Sequence, residues 1–548
     1  MNNPLLMTDG YKTSHKNMYP PNTTLVYSNY TCRSIKYMPK GAEDVVVFGI
    51  QYMIKYIQEL WQNEFFNKDK SEVCSEAKNY LESYLGTTYD VSHFEKLHDL
   101  GFLPIEIKGL EEGTVINSGI PLFTIKNTLP EFFWLTNFLE TLLSTLIWKP
   151  VHSASIAYAY KKLLVKYAKE TGMPLEFVNF QGHDFSFRGM QSPESAIASA
   201  MGFLTSFSGT DTIPALQAIK HYYGDDNVGF SVPASEHSVM CAHGKEGEIK
   251  TLEYIMEQYP KGIVSVVSDT WDLWKLITGY LPQLKEEILA RDGKIVIRPD
   301  SGDPVDIICG LNYTTLDDGL DRTPFKTYLP YDERFNHGDY YTGEQDYTED
   351  ENGVLNKGVE VFKFKDKYYK YQGEETVDQC EEIKNFNENS IKGVIELLWD
   401  IFGGTINEQG YKVLDSHIGA IYGDSITLER AEQIAEKLKA KGFANQVVFG
   451  IGSYSMGYAT RDNQGGAVKS TYVEVNGEPR EIFKNPVTDD GTKKSAKGLL
   501  NVGTTDYTYI LSDGCNWEEE SGGLLKTVFK DGKFYNQTTL AEIRNKLN

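Results

Sequence analysis

The 548-residue chain reads as an α/β protein whose main body is a parallel α/β barrel. Three observations predict this. Short apolar runs rich in Val and Ile recur after residue 176, such as Val264-Ser265-Val266-Val267, Ile295-Val296-Ile297, Ile418-Gly419-Ala420-Ile421-Tyr422 and Val447-Val448-Phe449. Each ends in Gly, Ser, Asp or Arg, and helical segments lie between them. Continuous apolar strands imply burial on both faces and hence a parallel sheet, and alternation with helices implies βα units. About seven such units suit a barrel with its polar residues gathered at the C-terminal ends of the strands. A doubly wound open sheet is the alternative. No GxGxxG follows a first strand and no Walker motif occurs, so neither a dinucleotide nor a P-loop site is signalled.

The first ~130 residues follow a different grammar, that of a mixed α+β domain. The run from Val26 to Arg33 alternates as a strand. Ile50, Met53, Ile54, Ile57, Leu60 and Trp61 share one helical face, and residues 71–85 suit another helix. Ile105-Glu106-Ile107-Lys108 and residues 114–126 suit strands, with turns at Glu112-Gly113 and Ser118-Gly119. A helix begins near Pro130 and a second spans about 153–170. From there Phe177-Val178-Asn179-Phe180 reads as a strand leading to Gln181-Gly182-His183-Asp184. Helices follow over 195–203 and up to about Tyr223. The next run, Phe230-Ser231-Val232-Pro233-Ala234-Ser235-Glu236-His237-Ser238, delivers a histidine to the rim of the sheet. From Asp300 to His417 the chain runs 117 positions, more than one βα unit needs, so about 311–388 reads as an inserted subdomain with a hairpin around Lys365-Asp366-Lys367. The predicted division is 1–150, 151–464 with this insertion, and a C-terminal segment 465–548. Residues 524–548 read as a strand pair and a closing helix.

Composition narrows the function classes. A net charge of −23 argues against a general nucleic-acid or anionic-membrane binder. Six cysteines with no CxxC pair indicate neither a zinc site nor a disulfide framework, and suit a reducing, cytoplasmic compartment. The N-terminus lacks a basic flank and a long apolar core, so no signal peptide is expected. The apolar window 132–148 is broken by Asn137 and Glu140 and reads as a buried helix, not a membrane span.

The strand ends offer Asp211, Glu236, His237, Asp269, Arg298, Asp300 and Asp424. Histidine titrates near neutrality and can serve as base, acid or phosphoryl acceptor. Arg298 and the backbone N–H groups around Gly423 and Gly452 suit a phosphate. Several aspartates suit Mg2+, which takes few carboxylates and keeps waters, though no particular ligands are singled out. Phe185 and Tyr11 suit stacking on a flat ring. Taken singly, aspartates at strand ends commonly cap helices. Together these groups suit a phosphorylated sugar and a planar heterocycle. After Gly452, Arg461, Lys469, Lys484 and the run Lys493-Lys494-Ser495-Ala496-Lys497 read as a phosphate or diphosphate clamp, or as a solvated loop.

Thr8-Asp9-Gly10-Tyr11-Lys12, His183-Asp184-Phe185 with Arg188-Gly189, Gly209-Thr210-Asp211-Thr212, the run Ser231 to Ser238, Ser265-Val266-Val267-Ser268-Asp269, Ile297-Arg298-Pro299-Asp300-Ser301-Gly302, and Phe483-Lys484 with Pro486 resemble the nicotinamide phosphoribosyltransferase family, of type II phosphoribosyltransferase fold. The resemblance keeps motif order over nearly the whole chain, apart from the 311–388 insertion. It implies that nicotinamide and 5-phosphoribosyl-1-pyrophosphate react with Mg2+ to give nicotinamide mononucleotide and diphosphate, in a homodimer with active sites at the interface. It implies a C-terminal segment packed on the N-terminal domain. By the same resemblance Phe185 and a partner's Tyr11 sandwich the ring, and Asp211 accepts from the carboxamide. Arg298 and Asp300 line ring and ribose, Ser231 binds substrate, and Arg188, Ser265, Gly423, Asp424, Gly452 and Ser453 meet the nucleotide phosphate and ribose. Arg33, Arg461, Lys469, Lys484 and Lys493 meet the diphosphate from the other subunit. His237 corresponds to a phosphorylated histidine that couples facultative ATP hydrolysis, with Glu236 and Asp269 to orient it. The segment Gly450-Ile451-Gly452-Ser453 has fewer glycines than the family form, which leaves the Ser453 contact to its backbone N–H. The physics of Asp211 bears on substrate: a carboxylate repels nicotinate but accepts from an amide. A nicotinate phosphoribosyltransferase and a catalytically silent ligand-binding dimer are the alternatives.

Overall fold

Both ends of the chain meet in one antiparallel sheet. The computed structural model describes residues 3–315, 360–371, 377–484, 496–506 and 508–547. Across this sheet the order is Glu478–Glu481, Gly466–Val475, Thr23–Cys32, Pro121–Asn127, Ile105–Gly109, Lys526–Lys530 and Lys533–Phe534. Its core draws on both ends: Ile54, Ile57, Ile107 and Phe123 pack in one cluster with Phe529. Helix Ile50–Trp61 has the expected bounds and buries Ile50, Met53, Ile54, Ile57 and Trp61, because a 3.6-residue repeat lines these positions along one face.

The second sheet is parallel and curled. Its strands lie in the order Gly209–Thr210, Gly182–Asp184, Val448–Ile451, Ile418–Tyr422, Asp292–Arg298 and Lys261–Val267. Neighbours in space are neighbours in sequence, except that the last strand returns beside the first, with Phe449 opposite Gly182 and Ile451 opposite Asp184. Residues 230–235 form no regular strand. They join both outer strands through parallel bridges, Gly209 to Phe230 and Ala234 to Ser265. Val264, Val266, Ile295, Ile297, Ile418, Phe449 and Ile451 are buried in one cluster with the surrounding helices, as strands covered on both faces require.

Two expectations are corrected. Phe177 to Phe180 belong to helix Leu175–Gln181, and the strand begins only at Gly182. Val178 is wholly buried while Phe180 is 46% exposed, so the apolar run is one turn of a helix, entered after Pro174. The helix expected over 153–170 is part of a 32-residue helix, Glu140–Thr171, that runs through Pro150. The proline ring packs on Gly49, where a Cβ would lie 2.7 Å from it. The hairpin Val361–Phe364 and Lys367–Lys370 forms as expected. Most of the remaining inserted subdomain, and Lys493 of the basic run, lie outside the described residues. Among the described residues no helix is long and apolar enough to cross a membrane.

Candidate active site

A parallel sheet brings the carboxyl ends of its strands to one rim, and the candidate residues gather there. Asp184, wholly buried at the end of Gly182–Asp184, organises one side. Its Oδ1 accepts from the Ser186 N–H at 3.0 Å and the Ser186 hydroxyl at 2.6 Å. Its Oδ2 accepts from the hydroxyls of Thr210 at 3.1 Å and Thr212 at 2.6 Å. A carboxylate holding four donors from two strand ends fixes Phe185 and Asp211 relative to each other.

Asp211 Oδ1 accepts from the Ser231 hydroxyl at 2.6 Å and lies 2.9 Å from His183 Nε2. Desolvation works to raise its pKa, but the hydrogen bonds of His183 and Ser231 and the charges of His183 and Arg298 outweigh it and hold the carboxyl below its ordinary value. The acid is therefore ionised near neutrality and presents an acceptor edge. The His183 ring lies 5.1 Å from that of Phe185. Phe185 rests on two glycines. A Cβ at Gly450 would lie 2.3 Å from the ring and one at Gly423 3.0 Å from it, so any side chain at Gly450 would displace the ring.

His237 opens helix His237–Ala242. Its Nδ1 lies 3.0 Å from the Thr270 hydroxyl. Its Nε2 is 4.0 Å from Asp269 Oδ1 and 3.9 Å from Asp300 Oδ2. Asp269 is fixed in turn: its Oδ2 accepts from the Asp300 N–H at 2.9 Å and from the Ser301 hydroxyl. Glu236 accepts from Ser238 and makes no hydrogen bond to the imidazole. Arg298 donates through Nη2 to the Ser235 carbonyl at 2.6 Å. Arg298 Nε, Ser265 Oγ and Asp269 Oδ1 are buried with no hydrogen-bond partner. Three orphaned polar atoms in one rim suit a polar ligand that would satisfy them.

On the far side of the rim are the turn after Ile418–Tyr422, holding Gly423, exposed Asp424 and Ser425 at φ +50°, and the turn at Gly452 and Ser453. Ser453 packs on Gly189, where a Cβ would lie 2.3 Å from the Ser453 Cβ. This draws the exposed Arg188 loop to the same place.

The chain matches the nicotinate phosphoribosyltransferase (NAPRTase) family model over residues 180–339 and 360–533, and the model of the nicotinamide phosphoribosyltransferase N-terminal domain over residues 3–107. It is 43% identical over 559 aligned positions to the nicotinamide phosphoribosyltransferase of Acinetobacter baylyi, covering 100% of this chain and 97% of that one. The chain belongs to the nicotinamide phosphoribosyltransferase family. The protein of the same description from Mycoplasma pneumoniae is 33% identical, covering 91% of this chain and 95% of its own. The crystal structure of nicotinate-nucleotide pyrophosphorylase from Pyrococcus furiosus shares the fold, with a TM-score of 0.51, 13% identity, and coverage of 100% of this chain and 94% of that one.

The residues expected of a nicotinamide phosphoribosyltransferase fall into two groups. Phe185, Arg188, Asp211, Ser231, Glu236, His237, Ser265, Asp269, Arg298, Asp300, Gly423, Asp424, Gly452 and Ser453 surround the parallel rim. Tyr11, Arg33, Arg461 and Lys469 lie with the antiparallel sheet. Burial lowers the Lys469 pKa, as do the charges of Arg33, Lys12 and Arg461, against the opposing pull of Glu140. Lys12 pairs with Glu140, and Arg33 Nε donates to the Gly465 carbonyl at 2.9 Å. Tyr11 is 60% exposed and its ring meets His15 and Lys12. No hydrogen bond, ion pair or ring contact among the described residues joins Tyr11, Arg33, Arg461 or Lys469 to the rim. Exposed Lys484 ends the described part of its loop. Asp184, Thr270 and Lys12 were not singled out as site residues from the sequence. The adjacency of Asp184 to His183 and of Thr270 to Asp269 was the available signal.

Proposed function

We propose that this chain transfers the phosphoribosyl group of 5-phosphoribosyl-1-pyrophosphate to nicotinamide, making nicotinamide mononucleotide and diphosphate for NAD salvage in the cytoplasm. The observation that carries this reading is Asp211, an ionised carboxylate bound to His183, whose ring in turn meets that of Phe185. It accepts from a carboxamide N–H and repels the carboxylate of nicotinate. Phe185 stacks on the pyridine ring and holds its nitrogen in line with the ribose C1. The ring nitrogen forms a bond to C1 as the C1–oxygen bond breaks, and the electron pair leaves with diphosphate. Arg298, Ser265 and the turns at Gly423 and Gly452 hold the phosphoribosyl group.

The division at about 150 and 464, and a barrel closed by residues 230–235, belong to the same reading. So does a homodimer in which the partner's Tyr11 covers the ring. The placement of Arg33, Arg461 and Lys469 beside the antiparallel sheet, not at the parallel strand ends, supports this, since departing diphosphate needs cations near the reacting carbon. Lys484 and Lys493 extend that clamp. Among the described residues no group of three or more His, Cys, Asp or Glu could by itself hold a metal. Mg2+ needs no such group, because it binds through one or two carboxylates plus substrate phosphates. Asp269, with its orphaned Oδ1, and Asp300 would hold it. The bound ion would neutralise phosphate charge. With Nδ1 engaged by Thr270, His237 Nε2 is the atom left to accept the γ-phosphoryl group of ATP, with release of ADP.

The test is product formation by purified protein with Mg2+ and 5-phosphoribosyl-1-pyrophosphate, offered nicotinamide or nicotinate, each with and without ATP. Nicotinamide mononucleotide from nicotinamide alone, increased by ATP, is expected. Product from nicotinate would overturn the Asp211 argument, and no product from either would overturn the transferase reading.

A further inference from the structure

Two turns on the far side of the rim, 423–426 and 452–456, are tied to each other and to the long helix Glu140–Thr171 by buried side chains. Tyr160, wholly buried on that helix, has its hydroxyl 2.7 Å from Ser455 Oγ and 3.4 Å from the Ile426 carbonyl. Ser455 Oγ donates to the same carbonyl at 3.0 Å. Lys149, three turns earlier on the helix and buried, donates to the Met456 carbonyl. Burial pushes the Lys149 ammonium down to about 8, with Asp184 opposing the shift. The turns close internally as well, through the Gly457 N–H to Ser453 carbonyl bond at 2.7 Å.

Buried hydroxyls and an ammonium are costly to desolvate, and apolar side chains of similar size would fill the same space. What the polar set supplies is position. Ser455 and Ile426 belong to turns that follow adjacent parallel strands, Val448–Ile451 and Ile418–Tyr422. A fixed separation of the two turns fixes the spacing of the backbone N–H groups at Gly423 and Gly452. We propose that Tyr160 and Ser455 act as one positioning unit that sets the gap between these turns for the sugar phosphate of the phosphoribosyl substrate. This inference rests on the proposed function, in which the two turns hold that group.

The experiment uses the full chain and two conservative variants, Tyr160→Phe and Ser455→Ala, with their double. The expected result is a rise of about tenfold in KM for 5-phosphoribosyl-1-pyrophosphate, with KM for nicotinamide within about twofold of the parent. Because the two hydroxyls share one carbonyl, the double variant is expected to cost no more than the larger single. A parallel change in both KM values with a lowered Tm indicates general loosening and would overturn the proposal, as would unchanged kinetics in both variants. Calorimetric binding of ribose 5-phosphate to parent and variants is the readout independent of turnover. About tenfold weaker binding by the variants supports the positioning role even if the parent fails to use nicotinamide, and equal binding overturns it.

Discussion

Thr270 Oγ1 lies 3.0 Å from His237 Nδ1, while Glu236, the residue beside the histidine, turns to Ser238 instead. The imidazole is thus oriented by a hydroxyl and faces two carboxylates, Asp269 and Asp300, at about 4 Å. The His237→Ala variant is expected to lose ATP stimulation while keeping some transferase activity, because no step at the ribose carbon uses the imidazole. Thr270→Val is expected to weaken the stimulation without removing it, since the ring keeps its nucleophilic Nε2 but loses its orienting partner. The measurement is initial rate with and without ATP, beside acid-labile phosphate on the protein. Full ATP stimulation in His237→Ala would remove the histidine from the coupling.

Asp211 bears on substrate choice. Replacing it by Asn keeps the shape and removes the charge. The variant is expected to lose roughly 10- to 100-fold in kcat/KM for nicotinamide, the scale of one charge-assisted hydrogen bond. Nicotinate turnover is expected to rise, because the repulsion is gone. Competing the two substrates in one reaction measures the ratio directly, and an unchanged ratio would place specificity elsewhere.

Two buried histidines make the fold sensitive to acid. Burial holds His152 and His93 down to about 3, with nearby lysines adding to the shift. Their folded-state values lie below the ordinary value near 6.5, so the unfolded chain takes up protons first as pH falls. Stability from these rings is complete above about 6.5 and is lost progressively toward 3, at roughly 1.4 kcal/mol per pH unit for each ring. Glu248 and Asp306, whose carboxyls burial raises to about 7 and about 6, oppose this slope in the parent, so the readout is the difference between proteins: in denaturant unfolding at pH 7.5, 6 and 5, His152→Gln is expected to lose about one proton of acid sensitivity relative to the parent. Equal slopes in the two proteins would contradict the buried, neutral state of His152.

The sequence made legible what is local and periodic. Helix Ile50–Trp61 follows from a repeat of apolar residues, and the parallel strands follow from Val- and Ile-rich runs ending in polar residues. The rim residues were legible because a parallel sheet puts every strand end on one side. Long-range contacts were not legible. Nothing near Phe177 to Phe180 announces that Gln181 will close that helix and reach the carbonyls of Asn445 and Val447. Pro150 gives no sign in the sequence that it lies inside one continuous helix with its ring against Gly49. Nothing in the sequence marks Tyr160, and only the fold brings its hydroxyl to Ser455.

Arg544, near the end of the chain, tests how the C-terminal helix supports the rim. From helix Leu540–Leu547 it donates through Nε to the Leu204 carbonyl at 2.7 Å and through Nη2 to the carbonyls of Phe207 and Val228, each at 2.8 Å. These carbonyls flank the strand Gly209–Thr210, which leads to Asp211, and the segment leading to Ser231, so one guanidinium supports the approaches to Asp211 and to its hydroxyl partner. Burial lowers its pKa to about 10, with Asp225 opposing, and it remains charged at neutral pH. Arg544→Met keeps the apolar stem but strands three acceptors, at a cost of about 3 kcal/mol or more. The variant is expected to unfold several degrees lower and to show a raised KM for nicotinamide. Arg544→Lys is expected to recover only part of the loss, because one ammonium cannot span three carbonyls placed for a planar fork. Thermal unfolding with nicotinamide kinetics on both variants decides it: a full recovery by Lys would mean that charge alone, and not the fork, holds the helix to the pocket.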